Sequence, residues 1–248
     1  MTIKPQTTSN EILADLDAIL EKGVMLNSSS PEALALFASI DKLEHADPDE
    51  SLNLRALVLH LCNDLDSAIT VLEQREHKDL LRNMVLLSNY SRCSAAQEIF
   101  ASYCSPKSGN FWRCIPFAYP IGAFRQVAEF AREAERMQLQ SKSAISLEGI
   151  YMIDEVLDDL GITDANAGRV MELAGRVLSE HGFMFLGPGP EVEIVNDGGE
   201  RRAVHLTYRI AASATDAVSI YMKFIEQLFY REIDMPDGFH VSFGGATS

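Results

Sequence analysis

From residue 9 to about residue 140 the apolar positions recur with the three-to-four spacing of amphipathic helices. The first stripe is Ile12, Leu13, Leu16, Ile19 and Leu20, with Ser9 or Asn10 placed to cap it and Gly23 to stop it. Ser30-Pro31-Glu32 starts a second helix, whose buried face is Leu36, Phe37, Ile40 and Leu43. Asp47-Pro48-Asp49-Glu50 repeats the device with Glu50 in the capping-box position, and Leu52, Ala56 and Leu59 follow. After a break at Asn63-Asp64 the pattern predicts helices over 67–73, 80–90 and 94–103, then a long one over 121–140. Between the last two, Pro116 and Pro120 predict a kinked helix or an extended passage, because each lacks the amide a regular ladder needs.

A polar stretch at 138–143 predicts a boundary, giving a helical region at 1–140 and a second domain at 141–248. The second domain opens with helices at 147–160, ended by Gly161, and from Thr163 or Asp164 to Gly182. Near residue 183 the period changes from 3.6 to 2. Phe183–Leu186 and Glu191–Val195 read as short strands around the rigid turn Gly187-Pro188-Gly189-Pro190. Asn196-Asp197-Gly198-Gly199-Glu200 signals a hairpin. In the strand that follows, Val204, Leu206, Tyr208 and Ile210 point one way and Ala203, His205, Thr207 and Arg209 the other. A helix over 213–231 carries Ala217, Val218, Tyr221, Phe224, Ile225, Leu228 and Phe229 on its apolar side, and Phe239, Val241 and Phe243 mark a last strand. The fold class is therefore α+β: a repeat-like α-helical region, then a small, mainly antiparallel sheet with helices on one face.

The chain has 248 residues, 47% of them hydrophobic, which is ample for a buried core. Its formal charge of −15 repels phosphate backbones, and no aromatic-and-basic interleave appears, so a nucleic-acid partner is not expected. The polar N-terminus lacks a signal-peptide pattern and no apolar run is long enough for a membrane span. Cys62, Cys93, Cys104 and Cys114 have no metal-ligand spacing and sit in apolar segments, so reduced, buried thiols and a cytoplasmic setting are expected.

Ala56, Ala68 and Leu72, and again Ala96 and Phe100, stand at small and large positions that resemble tetratricopeptide-type helical-hairpin repeats over roughly residues 30–140. The resemblance implies a protein-binding scaffold and no chemistry. The order of elements after residue 141 resembles a ferredoxin-like sandwich, a likeness of fold alone.

Two surfaces are candidate binding sites. Phe111, Trp112, Arg113, Phe117, Tyr119 and Phe124 have the composition of a protein-binding hot spot, although large aromatics are more often core. Alternation places Glu193, His205, Thr207, Arg209, His240 and Ser242 on the open sheet face, as a ligand site, a dimer face or simply a solvated surface. Asp154, Glu155, Asp158 and Asp159 form like-charge pairs on one helix, read as a solvated acidic face or as a surface that a basic partner or a cation would relieve. No spacing supports a metal site, a cofactor loop or a catalytic nucleophile. The expected function is a non-enzymatic adaptor, chaperone, immunity or regulatory factor with a protein or peptide partner and possible homodimerisation. The alternative is a small-molecule-binding domain or enzyme using the His205, Arg209 and His240 face.

Overall fold

The computed structural model describes residues 5–75, 80–89, 91–139, 147–185, 189–196 and 202–245. Along the chain run α1 (Pro5–Leu20), α2 (Pro31–Glu44), α3 (Pro48–Leu61), α4 (Leu65–Glu73), α5 (Leu80–Asn89) and α6 (Cys93–Tyr103). Next come α7 (Phe111–Cys114), α8 (Phe124–Arg136), α9 (Leu147–Asp159) and α10 (Asp164–Glu180). The chain then forms β1 (Glu191–Asn196), β2 (Arg202–Ile210), α11 (Ala214–Tyr230) and β3 (Phe239–Gly245). The class is α+β, helices first and sheet last. No described helix is long and apolar enough to cross a membrane.

Five of the described helices start on a side-chain cap. Ser30 Oγ, Asp47 Oδ1 and Asp64 Oδ1 each accept an amide three residues on, at 3.1 Å. Helix α1 begins at Pro5, ahead of the expected Ser9 or Asn10 cap, since proline fits a first turn without loss. Helix α8 begins at Phe124, three residues later than expected. The prolines instead hold Ile115–Phe117 and Tyr119–Ile121 in two 3₁₀ turns, so the kinked reading is the one observed.

The α3–α4 and α5–α6 hairpins repeat one another twenty-eight residues apart. Buried Val58, His60, Ala68 and Leu72 correspond to buried Leu86, Ser88, Ala96 and Phe100. Both turns pass through a left-handed residue, Asn63 (φ 59°) and Ser91 (φ 52°). In each, the following amide reaches back five residues, Asp64 to Leu59 O at 2.9 Å and Arg92 to Leu87 O at 2.8 Å. That offset is shorter than the thirty-four residues of the tetratricopeptide unit.

Helix α10 joins the two halves. It buries nine residues, Gly168, Met171 and Gly175 among them. Its Glu172 accepts the Ser94 amide of α6 at 2.8 Å. Its Asp164 accepts the Arg125 and Gln126 amides of α8 at 2.8 and 2.9 Å. Neither α6 nor α8 has a side-chain cap of its own, so α10 supplies both. Gln97 of α6 donates to Ile121 O and Asp164 O at 2.8 and 2.9 Å. Hydrophobic clusters cross residue 140 accordingly: Cys93 and Phe124 pack with the C-terminal helices and sheet, and Ile150 packs with the α6–α8 core.

The sheet is mixed, in the order β1-β2-β3. Strands β1 and β2 are antiparallel, while β3 returns parallel to β2 after the α11 crossover. Val204, Leu206, Tyr208, Ile210, Phe239 and Val241 are buried beneath the helices as alternation predicts. Ala203, expected on the open side, is buried at 2% exposure. Phe183 and Phe185 form no strand. They make isolated bridges to Val24 and Ile210. Around the first, Met25 donates to Gly182 O and Met184 to Gly23 O, both at 3.0 Å, and Met184 is buried among α1, α2 and α3. The expected turn residues Gly187 and Pro188, the hairpin residues 197–200 and the boundary stretch 140–143 lie outside the described residues.

One cysteine expectation is corrected. Cys104 and Cys114 form a disulfide with Cα atoms 5.7 Å apart, because the turn from α6 into α7 folds the two buried side chains together. Cys93 is a buried free thiol and Cys62 a half-buried one.

Close packing at α10 gives a first test. A Cβ on Gly175 would lie 1.5 Å from Ser91 Oγ, an impossible contact. Gly175→Ala should therefore lower the urea-unfolding free energy by about 1–3 kcal/mol. Ser91→Gly, which clears the space and suits a positive φ, should restore most of that loss in the double variant. Equal destabilisation with and without Ser91→Gly would refute the contact.

Candidate functional site

The open sheet face gathers the residues that alternation assigned to it. The register places Glu193, His205 and His240 in one row and Thr207 beside Ser242. His205 Nε2 lies 2.9 Å from Ser242 Oγ, which is 3.1 Å from Thr207 Oγ1. The His205 and His240 rings stand nearly perpendicular with centroids 6.4 Å apart. Arg209 lies at the far end of the face, ion-paired with Glu191 at 2.8 Å. This is a shallow polar strip, with Glu193, Arg209 and His240 exposed and His205 half-buried. Cavities of about 90 to 300 Å³ among the described residues lie elsewhere and are lined by none of these side chains. Among the described residues no set of three His, Cys, Asp or Glu side chains is arranged to hold a metal ion.

The aromatic segment divides between core and surface. Phe111 and Phe124 are buried, at 1% and 0% exposure. Trp112, Phe117 and Tyr119 are half-buried and Arg113 is exposed. Phe111 packs against Trp112 and Phe130, while Tyr119 packs against Phe124, so the segment is split between two ring clusters. Burial pushes the Tyr119 hydroxyl up to about 12.

The acidic residues of α9 find their basic partner within the chain. Arg125 pairs with Asp158 and lies 3.6 Å from Asp154. Arg132 reaches Asp154 at 2.6 Å, and Arg202 reaches Glu155 and Asp159 at 3.1 Å each. Arg132 also sits over the Tyr151 ring, 5.1 Å from its centroid. Asp164 is different in kind. Its burial raises the carboxyl, and the amide hydrogen bonds from Arg125 and Gln126 pull it partly back.

Two features were missed at the level of sequence. The first is a groove of about 190 Å³ between α4, α5 and α6, lined by Ile69, Leu72, Glu73, Leu86, Leu87 and Ile99. Asn83 also lines it, and its Oδ1 is buried with no hydrogen-bond partner. Helical spacing marks these apolar residues as core, and only assembly shows that they meet along an opening. The second is on α11. Val218, Tyr221 and Phe229, expected to face inward, are exposed at 63%, 38% and 82%. The signal was an apolar arc too broad for one buried face.

No protein-family model, curated protein or solved structure matches this chain.

His60 lines a cavity of about 90 Å³, with Asn63, Ser91, Gly175 and Arg176 nearby. Burial pushes its imidazole down to about 4. Unfolded, the same ring takes up a proton near pH 6.5. Between pH 6.5 and 4 the unfolded chain thus binds the extra proton, and stability falls as pH falls. Urea titrations should show wild type losing about 2–3 kcal/mol more than His60→Gln between pH 7 and 4.5. Parallel pH profiles for the two proteins would remove the effect.

Proposed function

We propose that this chain is a non-enzymatic protein-binding adaptor that takes a peptide segment of its partner into the groove between α4, α5 and α6. The observation that carries the reading is an apolar groove with a hydrogen-bond acceptor left over. Ile69, Leu72, Leu86, Leu87 and Ile99 offer an apolar seat, and Asn83 Oδ1 waits for a donor. Apolar walls with one placed polar group are the usual construction of a recognition site. An unmet buried acceptor favours an occupant carrying N–H groups over a purely hydrocarbon one. Glu73 at the rim and the net charge of −15 favour a basic residue beside the apolar anchor.

The architecture supports the same reading. Two equivalent hairpins set side by side leave a groove between them, as the tetratricopeptide resemblance implies. The sheet face supports catalysis less well, because its polar groups stand on an open strip and lack the enclosure that strengthens electrostatics. The partner class is thus a basic, apolar-anchored peptide or protein segment.

Display selection with a peptide library tests this. Wild type should enrich sequences pairing a large apolar residue with Lys or Arg. Ile69→Glu or Leu87→Glu should weaken the selected peptides by at least roughly tenfold, since each places a charge where an apolar side chain is seated. Glu73→Lys should weaken the basic ones selectively. Peptides that bind Ile69→Glu as well as wild type would sink the groove as the site.

A further inference from the structure

The apolar residues of α11 form two stripes. Ala217, Ile220, Phe224 and Leu228 are buried in the core formed by the sheet and helices. Next to them around the helix come Val218, Tyr221, Met222, Ile225 and Phe229. Phe229 is 82% exposed, Val218 63% and Met222 60%. Helix α10 lies on the opposite flank, because Lys223, paired with Glu226 at 2.7 Å, also feels Glu180 in the last turn of α10. Single exposed apolar side chains are ordinary, whereas four exposed ones in a row, with half-buried Ile225 between them, mark an interaction surface.

We propose that this stripe is the interface with a second copy of the same chain, the two α11 helices packing antiparallel about a two-fold axis. Area is the first argument. The exposed parts of the five side chains amount to roughly 500 Å² per copy, taking about 150–250 Å² for a whole aromatic residue. Two copies would bury about 1,000 Å² from the stripe alone, which reaches the threshold for a specific interface.

The second argument is self-complementarity. A two-fold interface requires each contact to appear twice, residue i on j and j on i. Val218, Met222, Ile225 and Phe229 are spaced four, three and four, which reads the same in reverse. Antiparallel pairing therefore sets each Phe229 against the other copy's Val218, and Met222 against Ile225, large against small.

The third argument separates a second copy from a basic partner. Although the chain carries −15, the segment from Ala214 to Arg231 has two acids, Asp216 and Glu226, and two bases, Lys223 and Arg231. A site for a basic protein would keep the surrounding negative charge. A neutral helix is what allows two acidic molecules to approach.

Light scattering on the eluting full chain at about 50 µM should give twice 27.4 kDa. Phe229→Glu should give the monomer mass with an unchanged far-ultraviolet spectrum. Val218→Lys, at the position that meets Phe229 in the antiparallel register, should also give the monomer mass. Mixing Val218→Lys with Phe229→Glu pairs opposite charges at that contact, so a heterodimer should form where neither variant pairs with itself. Monomeric wild type, a dimer that survives Phe229→Glu, or a mixture of the two folded variants that stays monomeric would each overturn the proposal. Phe229 and the groove share no residue, so the peptide-binding reading stands or falls separately.

Discussion

The structure depends on the burial of α10, nine of whose seventeen residues are covered by its neighbours. Its sequence is rich in alanine and glycine, and the small residues are what allow α6 to come close. A Cβ on Gly168 would sit 2.8 Å from Gln97 Nε2, and one on Gly175 would strike Ser91. Close approach then brings Asp164 and Glu172 within reach of amides that α8 and α6 leave unsatisfied. Burying a carboxylate is unfavourable alone, and at Asp164 two amides offset part of the cost. Packing and hydrogen bonding are thus one constraint, since a bulkier α10 would lose both.

Electrostatics follows the same frame. The four acids of α9 stand in sequence as two like-charge pairs with no local counter-charge. In the fold, α8 brings Arg125 and Arg132 to one side and β2 brings Arg202 to the other. These arginines come from positions 22 to 47 residues away along the chain. Local charge density measured the need for a counter-charge correctly and said nothing about its source.

Much of the fold was legible because its cues are local. Ser30, Asp47 and Thr163 announced helix starts, and the alternation of Val204, Leu206, Tyr208 and Ile210 identified the covered face of the sheet. The row of Glu193, His205 and His240 was legible for the same reason, since period two fixes sidedness once the register is aligned. Features set by distant partners were not legible. Phe183 and Phe185 have strand chemistry, yet α10 delivers them to Val24 and Ile210 as single bridges. The parallel return of β3 depends on the α11 crossover rather than on any residue in β3. Cys104 and Cys114 meet through a turn whose path no spacing rule describes. The groove and the outer stripe of α11 were missed because periodicity reports that a residue is apolar, and only assembly decides whether anything covers it.

The bridge between Val24 and Phe183 has a consequence for synthesis. Helices α1, α2 and α3 are made first and pack on one another, but one buried member of their cluster is Met184, which emerges more than 120 residues after Leu61. A nascent chain must therefore hold this cluster open at one side while most of the protein is still being translated. The N-terminal helices are thus finished from the C-terminal side, and the last step of their folding waits on the end of α10.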